Sequence, residues 1–266
     1  MLSNDFVPGV PSWLDLGSSD TQAAAAFYGA LFGWRFESAG PDAGGYGFFQ
    51  VDGETVAALG PLTEEGAKPG WTVYFHSTDA DATTKAVEQA GGTVRFPAMG
   101  VSDQVRFAGY TDPDGAQFAV FEPKGTKGLD RVGGTGGLCW TELTTTDGAT
   151  AKRFYGGVFG WDFENMPMPE ESGAGDYIVA SPTGGGRDRS HAGIMQLSKD
   201  MLPADSAYWQ PYFAVTDVDT VVAGVTKGGG SIVMPAIDMA GVGRMALLKD
   251  PEGAFFSVLD PEVPAS

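Results

Sequence analysis

The stretch Phe27–Glu37, FYGALFGWRFE, returns at Phe154–Glu164 as FYGGVFGWDFE, identical at eight of eleven positions. A repeat constrains the fold more than any bulk property, because a duplicated segment must build the same local structure twice. The duplication runs well beyond these letters. WLDLGSSD (Trp13–Asp20) lies over WTELTTTD (Trp140–Asp147), and VYFHSTDAD (Val73–Asp81) over PYFAVTDVD (Pro211–Asp219). Gly91-Gly92 is answered by Gly229-Gly230, and DPDG at Asp112–Gly115 by DPEG at Asp250–Gly253. The offset grows between the blocks, as a longer loop in the second copy would make it. Two homologous domains of about 120 residues follow, placed at 1–123 and 137–266 with a linker at 124–136.

Composition narrows the functional classes. With 42% apolar residues and 17 Phe the chain can build ordinary cores, and no apolar run approaches the roughly 20 residues that span a bilayer. The opening MLSNDFVPGVPSW has neither the basic patch nor the apolar core of a secretory leader. The single cysteine, Cys139, rules out an internal disulfide framework and fits a reducing compartment, so a cytoplasmic location is expected. The net charge of −18 comes from 34 acids against 16 scattered bases. Binding to a phosphate backbone needs local Lys/Arg density, so nucleic acid is not an expected partner, and an anionic membrane surface is disfavoured for the same reason. The charge serves solubility, or it draws a cationic or amine-bearing ligand.

Periodicity supplies local structure. Residues 12–17 alternate as a strand, with Leu14 and Leu16 on one face and Trp13 and Asp15 on the other. Asp20 reads as the N-cap of a helix whose Ala24, Phe27, Tyr28 and Leu31 keep helical spacing, and Gly33 can end it in a left-handed conformation. Phe27 and Tyr28 are thus expected to pack on a sheet. A hairpin follows at Tyr46–Gly53 and Thr55–Gly60. The order then restarts: a strand at Trp71–His76, a helix from Asp79 to Ala90, and strands near Val94, Val105 and Phe118, the last fed by the DPDG turn. Each copy therefore holds two βαβββ units.

A strand, an Asp at a helix start, FY…LFGW and a late DPDG turn before the final strand, answered in the second copy by the same order with FY…VFGW and DPEG, resemble the glyoxalase/bleomycin-resistance/dihydroxybiphenyl-dioxygenase superfamily, the vicinal oxygen chelate proteins. The resemblance implies an α+β fold: two tandem domains, each of two βαβββ units curled into an open barrel with helices outside and a ligand cavity inside. It also implies that both halves of the fold's usual dimer are present in one chain, so a monomer or weak homodimer is expected. Metal-dependent members place His, Gln or Glu at fixed points of the first, fifth and last strands. Counting from the helix-start Asp and the DPDG turn, those points are Trp13, Thr72 and Ala119 in the first copy and Trp140, Gln210 and Ser257 in the second. A zinc or transition-metal cage wants three or more His, Cys or carboxylate donors, so no metal is expected; a register slip would bring in Asp15, Glu142 or His76.

Strand parity turns Trp13 and Trp140 toward the cavity, as barrel filling or as a stacking wall for a flat ligand. Asp15 and Glu142 face the same way. Each is a counter-charge for a ligand amine, a general base, or a strand-end partner of backbone groups. His76 shares the parity of Thr72 and Tyr74, and an Asp15–His76 pair would make an acid–base couple. Tyr74, Gln117 and Phe121 in the first copy, with Tyr212, Phe255 and Leu259 in the second, complete the lining expected by parity, joined by Gln210 and Ser257 from the positions counted above. No G-x-S-x-G elbow or Cys–His pair is present. The glycine clusters at Gly133–Gly137 and Thr183–Gly186 lack the P-loop Lys and read as linker and flexible loop, so no cofactor is expected. The composite expectation is a metal-independent protein binding a small aromatic or cationic molecule. The alternative is a lyase, isomerase or metal-free biosynthetic enzyme that uses a cavity carboxylate.

Overall fold

The computed structural model describes residues 2–101, 103–168 and 176–262. The first copy contains β1 (Pro11–Ser18), α1 (Thr21–Phe32), β2 (Arg35–Ser38), β3 (Gly47–Val51) and β4 (Glu54–Pro61). Its second module contains β5 (Gly70–His76), α2 (Ala80–Gln89), β6 (Thr93–Val101), β7 (Val105–Thr111) and β8 (Gln117–Pro123). The second copy repeats this as β9 (Leu138–Thr145), α3 (Gly148–Phe159), β10 (Asp162–Met166), β11 (Tyr177–Ser181) and β12 (Ala192–Gln196). It ends with β13 (Tyr208–Ala214), α4 (Val218–Lys227), β14 (Ser231–Met239), β15 (Gly243–Lys249) and β16 (Phe255–Pro261). Both copies are thus βαβββ twice, in an α+β fold.

Each copy forms one eight-stranded sheet, ordered β2-β3-β4-β1-β5-β8-β7-β6 and β10-β11-β12-β9-β13-β16-β15-β14. β1 runs parallel to β4 and β5 parallel to β8, while the remaining module strands pair as antiparallel meanders. All four α-helices are capped by an Asp accepting from first-turn amides: Asp20, Asp79, Asp147 and Asp217. Gly33 and Gly160 end α1 and α3 at φ 70°, a conformation that costs most side chains energy.

Compactness follows a different partition from the sheets. One compact unit holds the chain up to Trp13, Thr72–Gly128 and Trp140–Trp209; the other holds Leu14–Trp71, Leu129–Cys139 and the chain from Gln210. Each unit therefore takes one βαβββ module from each copy. In the first unit α2 packs on α3, and in the second α1 contacts α4.

The repeated FY…LFGW motif sits at the centre of each unit. In the first, Phe154, Tyr155, Phe159 and Trp161 pack with Phe75, Phe118 and Trp209. In the second, Tyr28, Phe32 and Trp34 pack with Phe49, Trp71, Phe213 and Phe256. The expected packing role of the helix is only part of its contribution. Tyr155 donates its O–H to Asp112 Oδ2 at 3.0 Å and accepts from Trp209 Nε1 at 2.7 Å. Tyr28 does the same with Asp250 at 3.1 Å and Trp71 at 3.0 Å. The other oxygen of each Asp accepts two amides of its own turn, from Asp114 and Ala116 or from Glu252 and Ala254. Each DPxG turn is thus clasped to the FY helix of the other copy. The linker is also held: Arg131 pairs with Glu54 and Asp52, and Trp34 Nε1 donates to Gly136 O at 2.9 Å.

Candidate functional site

On β9 the alternation puts Trp140, Glu142 and Thr144 on one face. β12 runs parallel beside it with Gly193 opposite Glu142, and β11 lies antiparallel on β12 with Val179 opposite Gly193. Tyr177, two residues before Val179, leans back over Gly193. Trp140 Nε1–H donates to the Tyr177 hydroxyl at 2.9 Å, and that hydroxyl donates to Glu142 Oε2 at 3.0 Å. Glu142 is only 8% exposed. Tyr177 is half-buried as a whole, its hydroxyl the enclosed end. Burial first and the Glu142 charge second hold its pKa well above the usual phenol value. Tyr208, at the start of β13, is pushed up to about 12 by burial, against a pull from its hydrogen bond with Thr144 and with a smaller push from the Glu142 charge. Both phenols are therefore protonated near neutrality, and that of Tyr177 is the donor to Glu142. The carboxylate is oriented by that charge-assisted hydrogen bond. Such a group is equipped to accept an N–H or O–H from a ligand, balance a cation, or take a proton.

The matching face of the first copy is built differently. Trp13 stacks on Phe121 at 5.5 Å and 25°, Phe121 meets Phe107 at 5.5 Å, and Phe107 meets Tyr74 at 5.4 Å. Trp13 is 6% and Phe121 1% exposed, so these rings fill their own face. His76, on β5 opposite Phe121, is half-buried, and burial lowers its pKa. Thr72 is half-buried, whereas Gln117 is exposed at the start of β8 and contributes little enclosure. Asp15 is half-buried opposite Ala58 on β4. It belongs to the second compact unit and His76 to the first.

Gln210, Tyr212 and Ser257 are buried in the second unit, Tyr212 paired with Ser257 across β13 and β16. Cys139 donates to Tyr212 O, and burial pushes its thiol up to about 12, an inert state. The residues at the family's metal positions, Trp13, Thr72 and Ala119 with Trp140, Gln210 and Ser257, do not fit a divalent metal. Among the described residues no group of three or more His, Cys, Asp or Glu is arranged to hold one. The sequence reading missed Tyr177, Tyr208, Phe107 and Gly193. Phe107 was recoverable from its place on a strand hairpinned to that of Phe121. Tyr177 was recoverable from its counterpart Tyr46, which holds the same place before the hairpin of the first copy.

The chain matches the family model described as Glyoxalase/Bleomycin resistance protein/Dioxygenase superfamily at residues 11–120 and again at 137–258. A Mycobacterium tuberculosis protein provisionally named glyoxylase CFP32 is 35% identical over 263 residues, covering 97% of both chains. Anthracycline biosynthesis protein DauV from Streptomyces sp. strain C5 is 38% identical over 270 residues, covering 96% of this chain and 94% of that one. Among solved structures, 2,2',3-trihydroxybiphenyl 1,2-dioxygenase from Sphingomonas wittichii RW1 superposes with TM-score 0.65 at 14% identity, covering 96% of this chain and 91% of that chain. The Mn(II)-bound glyoxalase from Novosphingobium aromaticivorans gives TM-score 0.61 at 16% identity, covering 97% and 87%. At these identities the structural matches speak to the fold.

Proposed function

The chain belongs to the glyoxalase/bleomycin resistance protein/dioxygenase superfamily, and from that premise we propose that it binds a small, flat organic molecule, aromatic or amine-bearing, without a resident metal. The observation that carries this reading is Glu142, a nearly enclosed carboxylate oriented by Tyr177 within reach of the Trp140 indole. Aromatic walls with a few placed polar groups suit small apolar or aromatic ligands, and an enclosed carboxylate favours a partner that brings a proton donor or positive charge. The DauV relative is named for anthracycline biosynthesis, and anthracyclines are fused-ring aromatic compounds, so the ligand class agrees with that name.

A second reading has its own support. A carboxylate aligned by a phenol is also a general base, and relatives named for glyoxylase activity or for a biosynthetic step fit a metal-free enzyme in which Glu142 moves a proton. Fluorescence titration with 9-aminoacridine, planar and cationic, against anthraquinone, planar and neutral, tests the first reading. Glu142→Gln is expected to weaken 9-aminoacridine about tenfold or more, about 1.4 kcal/mol, and to leave anthraquinone unaffected. A protein that binds neither probe, or that carries stoichiometric metal by elemental analysis as purified, sinks it.

A further inference from the structure

Tyr177 reaches Glu142 only because residue 193 has no side chain. A Cβ on Gly193 would overlap the Tyr177 hydroxyl and its ring carbon, and since the obstacle is the outer end of a side chain, the phenol rather than the backbone would give way. In the first copy the same register puts Ala58 opposite Asp15, and Phe48 opposite Ala58. The methyl of Ala58, fully buried, occupies the place Gly193 leaves open. Tyr46, standing two residues before Phe48 as Tyr177 stands before Val179, lies over Gly60 instead, two residues further along β4.

The aromatic faces differ in the same sense. In the first copy Phe107 and Phe121 face each other in the β7–β8 register and join Trp13 in a closed stack. In the second copy the corresponding β15–β16 pair is Met245 and Leu259. Within the first unit Trp13 is thus committed to an internal stack, whereas Trp140 donates to the phenol that holds Glu142.

Resting on the reading above, we propose that the chain carries one working ligand site, in its second copy, and that Tyr177, seated over Gly193, is its positioning residue. It holds Glu142 toward an amine-bearing planar aromatic ligand. Tyr177 touches the carboxylate rather than replacing it, so its removal loosens the acceptor without deleting the charge.

Gly193→Ala, Tyr177→Phe and the double variant test this with two independent readouts. The first needs no ligand: the indole N–H signal of Trp140 in a 1H–15N spectrum, assigned among the six tryptophans by Trp140→Phe. Loss of its acceptor moves that signal upfield in both single variants. The second is 9-aminoacridine affinity and stoichiometry. Each single variant weakens binding about tenfold, the double variant is no weaker than either because both remove one interaction, and the wild type binds one probe per chain. Thermal melts confirm that the variants fold, and Tyr177→Phe keeps the test decisive if Gly193→Ala does not. An indole signal unmoved by Gly193→Ala, unchanged affinity in Tyr177→Phe, or two equivalent probes per chain overturns the proposal while leaving the binding reading standing. A wild type that binds no probe overturns both, even if the indole signal moves as expected.

Discussion

A neutral imidazole at position 191 shows how one side chain can set the acid tolerance of a core. His191 is 1% exposed and packs edge-on against Trp161 at 4.9 Å, and among the described residues neither ring nitrogen has a partner at full hydrogen-bond geometry. Burial lowers its pKa to about 3; the Arg189 backbone pulls weakly the other way. In the unfolded chain the ring takes a proton near pH 6.5. Above that pH both states are neutral and the residue contributes no pH dependence. Below it the unfolded state binds a proton that the native state refuses until about pH 3, so stability falls as pH drops through this window. Between pH 6.5 and 4.5 the loss should be about 2–3 kcal/mol at ~1.4 kcal/mol per pH unit. Urea melts of wild type and His191→Leu at pH 7 and 4.5 measure it, the variant losing correspondingly less on acidification. Parallel losses in the two proteins would refute the assignment. Only one other histidine, His76, is present, so the contrast is clean.

Among the elements, the clasp of Tyr155 on the Asp112 turn joins α3 to the loop before β8. Tyr155→Phe keeps the ring and its stacking on Trp161 but removes both the donor to Asp112 and the acceptor of Trp209 Nε1. Two buried polar groups are then left short of partners, at about 1–3 kcal/mol each, and the expected destabilisation is about 2–4 kcal/mol by chemical denaturation. A loss below 0.5 kcal/mol would mean that relaxation or water replaces the clasp. Sequence reading found the parts without the joint. Asp20, Asp79 and Gly33 were legible because a cap and its helix lie within a few residues and local geometry dictates the residue type. The Tyr155–Asp112 bond crosses between copies, and nothing in the local spacing of either motif marks the other as its partner. The Glu142 site was half-legible for a related reason. Parity gave Trp140 and Glu142, whereas Tyr177 depends on the register of three strands and on a side chain that is missing at Gly193.

At the scale of the whole chain, duplication and compactness divide the molecule differently, with a consequence for folding. The sheets follow the repeat, but each compact unit is completed by a module from the other copy. Residues 1–126 alone would retain Tyr28 without Asp250 and Asp112 without Tyr155, and would leave Phe75 and Phe118 without Phe159 and Trp161. Two half-cores exposed together drive association or aggregation. Expressed singly, residues 1–126 and 127–266 are therefore expected to be insoluble or to self-associate. Co-expressed, they should assemble one-to-one, because the contacts that complete each unit are noncovalent and survive a cut between the copies. Size-exclusion chromatography with light scattering distinguishes these outcomes. A first half that is monomeric, soluble and cooperatively folded alone would show that the repeat, and not the interleaved unit, is the folding unit. Reassembly of the two halves would instead show that the second copy completes the core left open by the first.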